Sequence, residues 1–200
     1  MKPVTIDQVL GLQQWERVRP LLRPLFIHEK ERRRLPVGDH LTLLFENAQS
    51  VWYQVQEMIR SERMTDAPAI QHELDTYNEL LPGADELSAT LFIEYADNVE
   101  RDAALRALVG LERHVWVRIA DRRILGTFEE AQIGSDQVSS VQFVRFALER
   151  GESERFAQLA AAGEVALEVD HPALTASAQI GGLLARSLAD DLREAFVSRE

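Results

Sequence analysis

The hydrophobic period of this chain first changes at Pro82-Gly83, and that change decides the fold class. Before it, apolar residues recur at steps of three and four, the period of a helix packed on one face. After it, "ELSATLFIEY" (Glu86 to Tyr95) alternates and is rich in β-formers, so it reads as a strand.

Upstream, residues 5–35 read as helical but broken by Pro20 and Pro24. "LPVGDH" (Leu35 to His40) reads as a turn, with Asp39 as N-cap of a helix running from Leu41 to Arg63. "MTDAPAIQHELDTYNELLPG" gives a short helix with Pro68 in its first turn. Downstream, "DNVERDAALRALVG" is a helix opened by Asp97, with Glu100 at capping-box spacing. "HVWVRIADRRILGTFEE" reads as two strands about a turn near Asp121-Arg122, and "VSSVQFVRFAL" as a further strand. "GESERFAQLAAAG" is helical and "EVALEVD" is a last strand. "HPALTASAQIGGLLARSLADDLREAF" reads as a closing helix weakened at Gly181-Gly182, with Ile180, Leu184, Leu188, Leu192 and Phe196 on its buried face.

Helices first, then β-α-β-β-β-α-β, then a helix: this order is an α+β architecture. We expect a mixed or antiparallel sheet of about five strands in the C-terminal two-thirds, packed by helices, with a helical N-terminal layer. One domain spans residues 1–200, divided into a basic helical segment (1–40), a helical layer (41–82) and the α+β sheet region (83–200).

Composition excludes several chemistries. The chain has no cysteine, so thiol nucleophiles, disulfides and thiolate-held metals are out. Its net charge of −11 argues against nucleic-acid and anionic-membrane partners. Charge is uneven: residues 1–40 carry eight Lys/Arg against five Asp/Glu, sharpest in "HEKERRRLP". A basic segment lying against an acidic body of the same chain or of a partner subunit is the simplest account. Neither a secretory leader pattern nor a membrane-spanning apolar run occurs, so a cytoplasmic location is expected.

The segments "LLFENAQSVWYQVQEMIRSERM", "IQHELDTYNELLPG", "LSATLFIEY", "VQFVRF" and "VDHP" together resemble a bacterial domain-of-unknown-function family of about this length. The resemblance covers nearly the whole chain. Members are encoded near rubrerythrin-like and iron-sulfur oxidoreductase-like proteins in some genomes, which implies a redox- or stress-linked pathway. It implies no particular activity.

Candidate site residues come from the helix read over Leu41 to Arg63. Leu41, Leu44, Phe45, Ala48, Val51, Trp52, Val55, Met58 and Ile59 form its core face. Glu46, Gln49, Tyr53, Gln56, Glu57 and Arg60 run along one edge of that face at touching distance. Glutamine and tyrosine are unusual on a merely wet flank here, so this edge is expected to face protein. Glu46, Gln49, Tyr53, Gln56, Arg60 and the strand residue Arg145 are the ligand-binding candidates. Glu57 and Glu94 are the acid/base candidates. Glu94 and Arg145, both set in apolar strands, are expected to pair with each other or with Arg60 and Glu57, since an unpaired buried charge is costly.

Metal motifs fail. "HELDT" lacks the second histidine of H-E-x-x-H, leaving His72 and Glu73 as weak ligand candidates. "EVDH" has E-x-x-H spacing, but once and at a strand end, so Asp170 and His171 read first as helix caps before Pro172 and only weakly as ligands. No metal or other cofactor is expected. Three functions remain in view: a non-catalytic accessory protein binding a small polar or anionic ligand, a cofactor-independent enzyme using carboxylate acid/base chemistry, and a structural homo-oligomer module.

Overall fold

The computed structural model describes residues 1–129 and 133–197, with side chains to residue 194. The helices are α1 (Leu12–Arg32), α2 (Ala48–Glu62), α3 (Ala67–Asn78), α4 (Asn98–Ala107), α5 (Arg150–Ala161) and α6 (Gly182–Val197). The strands are β1 (Arg34–Val37), β2 (Leu41–Phe45), β3 (Glu86–Ile93), β4 (Val115–Ile119), β5 (Arg122–Leu125), β6 (Thr127–Phe128), β7 (Val141–Ala147), β8 (Val165–His171) and β9 (Leu174–Gln179). This is an α+β fold, but with two sheets where one was expected. One has the order β1-β2-β3-β7-β6, the other β5-β4-β8-β9, and every pairing is antiparallel.

The sheets face each other. Leu41, Leu43 and Phe45, Leu87 to Ile93 at alternate positions, and Val144 and Phe146 meet Val115, Val117, Ile119, Val165, Leu167 and Val169. Helices α5 and α6 add Phe156, Leu184, Leu188 and Leu192 to this core. Burying a side chain such as Phe146 contributes roughly 2–3 kcal/mol. The other face of the first sheet carries a second core, where Val51, Val55 and Ile59 of α2 pack with Leu74, Leu80 and Val4. Gly126 carries the chain from β5 in one sheet to β6 in the other. A Cβ there would stand 2.5 Å from Val144 Cγ2, so only glycine fits this crossing.

Three expectations are corrected. Leu41 to Phe45 is a strand, and α2 starts only at Ala48. In "LTLLF" an i, i+3, i+4 apolar set is also an alternating one, and pairing with β3 decides for the strand. The real cap is Asn47, whose side chain accepts from the Ser50 amide at 2.9 Å while Ser50 Oγ accepts from the Asn47 amide at 2.9 Å. Likewise Leu35 to His40 is not all turn: β1 covers Arg34–Val37, and Gly38, at φ +65°, makes the bend.

Second, α1 runs unbroken through Pro20 and Pro24. Both prolines face solvent, where water can satisfy the carbonyls they leave free, and packing of the fully buried Trp15 holds the helix in place. Third, Pro172 sits in the tight turn of the β8–β9 hairpin, with His171 paired to Leu174, and caps no helix. Gly181-Gly182 is the junction between β9 and α6. Ile180, Leu184, Leu188 and Leu192 are buried as expected, while the side chain of Phe196 lies outside the described residues.

Candidate functional site

The link between β2 and α2 is two residues long, and its first residue is Glu46. The backbone there is pinned, because the Glu46 amide donates to Ser88 O at 2.8 Å and its carbonyl accepts from Arg33 at 3.2 Å. The side chain is turned inward and is only 7% exposed. Ser50 Oγ donates to one carboxylate oxygen at 2.5 Å, and Thr90 Oγ1 donates to the other at 2.6 Å. Among the described residues its partners are hydroxyls, not cations. A buried carboxylate held in this way keeps unused acceptor capacity.

That carboxylate lines a cavity of about 210 Å³ between α2, α3 and the outer face of the first sheet. Val51, Tyr77, Leu80, Phe92 and Phe143 are among its apolar lining residues, and Lys30, near the end of α1, supplies its cation. Lys30 Nζ donates to Gln54 Oε1 at 3.3 Å and stands 5.4 Å from the centre of the Tyr53 ring. Burial pushes the Lys30 ammonium below the usual lysine range; Glu46 opposes the shift and Arg34 adds to it. A larger groove of about 710 Å³ runs between the N-terminal segment, α1 and α2, past Leu22, Phe26 and Trp52. It is open and mainly apolar, and among the described residues no buried polar side chain lines it. The smaller cavity therefore has the better chemistry.

The sequence profile of a family described as proteins of unknown function (DUF3501) matches residues 3–192. The chain belongs to that family. A crystal structure of a novel protein of unknown function from Burkholderia pseudomallei K96243 is similar at 35% identity and a TM-score of 0.86, covering 96% of this chain and 100% of that one. No curated protein matches. Membership in DUF3501 brings no chemistry with it, so the roles of individual residues rest on geometry.

The expected polar edge splits into four parts. Glu46 alone lines the small cavity. Gln56, fully buried, grips the N-terminal segment: its Oε1 accepts from Leu10 N at 2.6 Å and its Nε2 donates to Leu10 O at 3.1 Å. Tyr53 stacks on Phe26 at 4.7 Å and meets Trp15 edge-on, and burial pushes its phenol up. Glu57 accepts two bonds from Arg19, at 2.7 and 2.8 Å, and a third from Trp15 Nε1 at 3.0 Å. The Arg19 contact, followed by the Trp15 bond, holds its carboxyl below the usual range. Arg60 stands 3.5 Å from Glu57, and Gln49 is exposed on the open groove.

Glu94 and Arg145 do not meet, although their strands are neighbours. Arg145 is paired across from Ser88, six residues before Glu94 and roughly 20 Å away along the strand. Arg145 instead bonds Glu86 at 2.9 Å and Leu81 O at 3.2 Å. Glu94, just past the end of β3, is exposed and accepts from Thr42 Oγ1 at 2.7 Å.

The weak metal candidates are likewise apart. His171 is buried with both ring nitrogens engaged: Nδ1 accepts from the Ala173 amide at 3.1 Å, which leaves Nε2–H to donate to Val109 O at 3.2 Å. Asp170 bonds Arg123, Trp116 and His114, and Arg123 above all holds its carboxyl down to about 2. His72 is exposed on α3 with Glu73 beside it. Among the described residues no group of three such side chains could hold a metal ion.

Sequence reasoning missed Lys30, Ser50 and Thr90. Two signals were available. Asn47 and Ser50 have cap spacing directly after Glu46, and alternation along β3 sets Ser88 and Thr90 on the face opposite Leu87, Ala89 and Leu91.

Proposed function

We propose that this protein is a non-catalytic binding protein for a small molecule with an apolar body and a hydrogen-bond-donating head, an amine or a hydroxyl. The observation that carries this reading is the Glu46 carboxylate, buried in the wall of a 210 Å³ cavity with hydroxyl partners on both oxygens. An acceptor-only group in an apolar pocket selects a donor. The pocket's volume equals about seven waters' share of the liquid, so the ligand is small. An accessory role in a redox- or stress-linked pathway is what the resemblance of the sequence implies, a cytoplasmic location is part of this proposal, and no helix among the described residues is long and apolar enough to cross a membrane.

Saturation-transfer NMR with n-butylamine tests the reading. Wild-type protein shows transfer to the ligand, and Glu46→Gln weakens binding at least about tenfold, since the head group is then no longer met by a charge-assisted acceptor. Equal binding by both proteins, with native melting retained, sinks it. A second reading, an oligomer contact through α1, is favoured by Leu21 and Leu25, which are 75% and 65% exposed one turn apart.

A further inference from the structure

We propose that Lys30 is a nucleophilic amine that captures a small aldehyde or ketone in the Glu46 cavity as a reversible imine. This goes beyond the binding reading above, since a carbonyl compound has no donor head, and rests on that reading only in that the same pocket takes a small molecule. Four observations carry it.

First, the residue type is exceptional. The chain holds 20 Arg and only two Lys, Lys2 and Lys30. Arginine serves nearly every cationic position, yet the one cation lining this cavity is a lysine, the only one of the two types able to lose its proton. Second, Lys30 is loosely held. Among the described residues its one hydrogen bond, to Gln54 Oε1, is long at 3.3 Å, its other contact is the Tyr53 ring at 5.4 Å, and no carboxylate forms an ion pair with it. Other cations on α1 and its flank behave differently: the half-buried Arg19 is bound to Glu57 and the fully buried Arg33 to Asp191. Third, one side of the cavity wall is aromatic and aliphatic, including Tyr77, Leu80, Phe92 and Phe143. Such surroundings favour the neutral amine over the ammonium, in line with the downward shift that burial gives Lys30. Fourth, Glu46 lines the same cavity as Lys30, close enough to act on its charge, and among the described residues its side-chain hydrogen bonds come from hydroxyls and not from a cation. It is the group to take up the proton.

The step balances without an oxidant or reductant. Lys30 gives its ammonium proton to Glu46, and the Nζ lone pair then forms a bond to the carbonyl carbon. The C=O π pair moves onto oxygen. With a proton from Nζ and the one held at Glu46, that oxygen leaves as water while the Nζ lone pair closes the C=N bond. Water reverses the sequence, so the ligand is held covalently but released intact.

The chain's second lysine provides an internal reference. Folded protein is incubated with n-butanal and sodium cyanoborohydride near neutral pH, and butyl adducts on Lys30 and Lys2 are followed by peptide mass spectrometry. Lys30 is expected to be trapped about tenfold faster than Lys2, with the difference vanishing in urea. Glu46→Gln, checked for native melting, slows Lys30 and leaves Lys2 unchanged. Equal rates in the folded protein, or a faster Lys2, overturn the proposal. The butylamine experiment reads pocket occupancy and butanal trapping reads the amine, so failure of one is distinguishable from failure of the other.

Discussion

Arg19 and Glu57 meet through two parallel hydrogen bonds, 2.7 and 2.8 Å long, and this fork joins α1 to α2 beside the ring contacts of Trp15 and Phe26. Trp15, fully buried, adds its indole N–H to the same carboxylate. Glu57 is thus a three-donor anchor. Its native carboxyl is shifted down, so it stabilises the fold fully above the ordinary glutamate range. That contribution is lost as pH falls through the depressed native value. Glu57→Gln is expected to cost about 1–2 kcal/mol at pH 7, as both side chains keep some solvent contact. Thermal melts of the two proteins should converge as pH drops below about 4.

Arg33 is the most deeply set charge, 1% exposed, with bonds to Phe45 O, Glu46 O, Ser187 Oγ and Asp191. It locks the β2–α2 link, which carries Glu46, to α6. Arg33→Met should destabilise by about 3–5 kcal/mol, because Asp191 is left buried without its partner. Adding Asp191→Leu should recover only part of this, since the two backbone carbonyls still lack a donor, at about 1–3 kcal/mol each. Urea melts of the single and double variants measure the difference.

Gln56 closes a two-bond clasp on Leu10, the side-chain equivalent of a backbone pair. Gln56→Leu keeps the volume and removes both bonds. It should cost about 2–3 kcal/mol. Hydrogen exchange at the Leu10 amide should accelerate more than exchange in β3, which would place the loss at the N-terminal segment and not in the sheet core.

The sequence made the class of fold legible because its hydrophobic period changes so plainly at Pro82-Gly83. It did not make the sheet count legible. β9, "LTASAQ", alternates small residues with hydroxyls, a weak signal that Gly181-Gly182 and Pro172 overwrote with a helical reading. "LTLLF" satisfies two periods at once, so α2 was extended by seven residues over β2 and Glu46. The edge of α2 was correctly expected to meet protein at Tyr53 and Gln56. Its partners came from segments more than forty residues away, which periodicity cannot reveal: Leu10 for Gln56 and Thr90 for Glu46. A buried Arg33 was hidden for another reason. "ERRR" looks uniformly solvated, and only the start of β1 turns one of its three arginines inward.

The glycine at position 126 has one last effect. Because the chain between Arg122 and Phe128 belongs first to one layer of strands and then to the other, neither layer can come apart while its neighbour stays whole. Heat should therefore dismantle the sandwich as a single cooperative unit, and the wall of the small cavity, borrowed from one of those layers, persists just as long as the whole does.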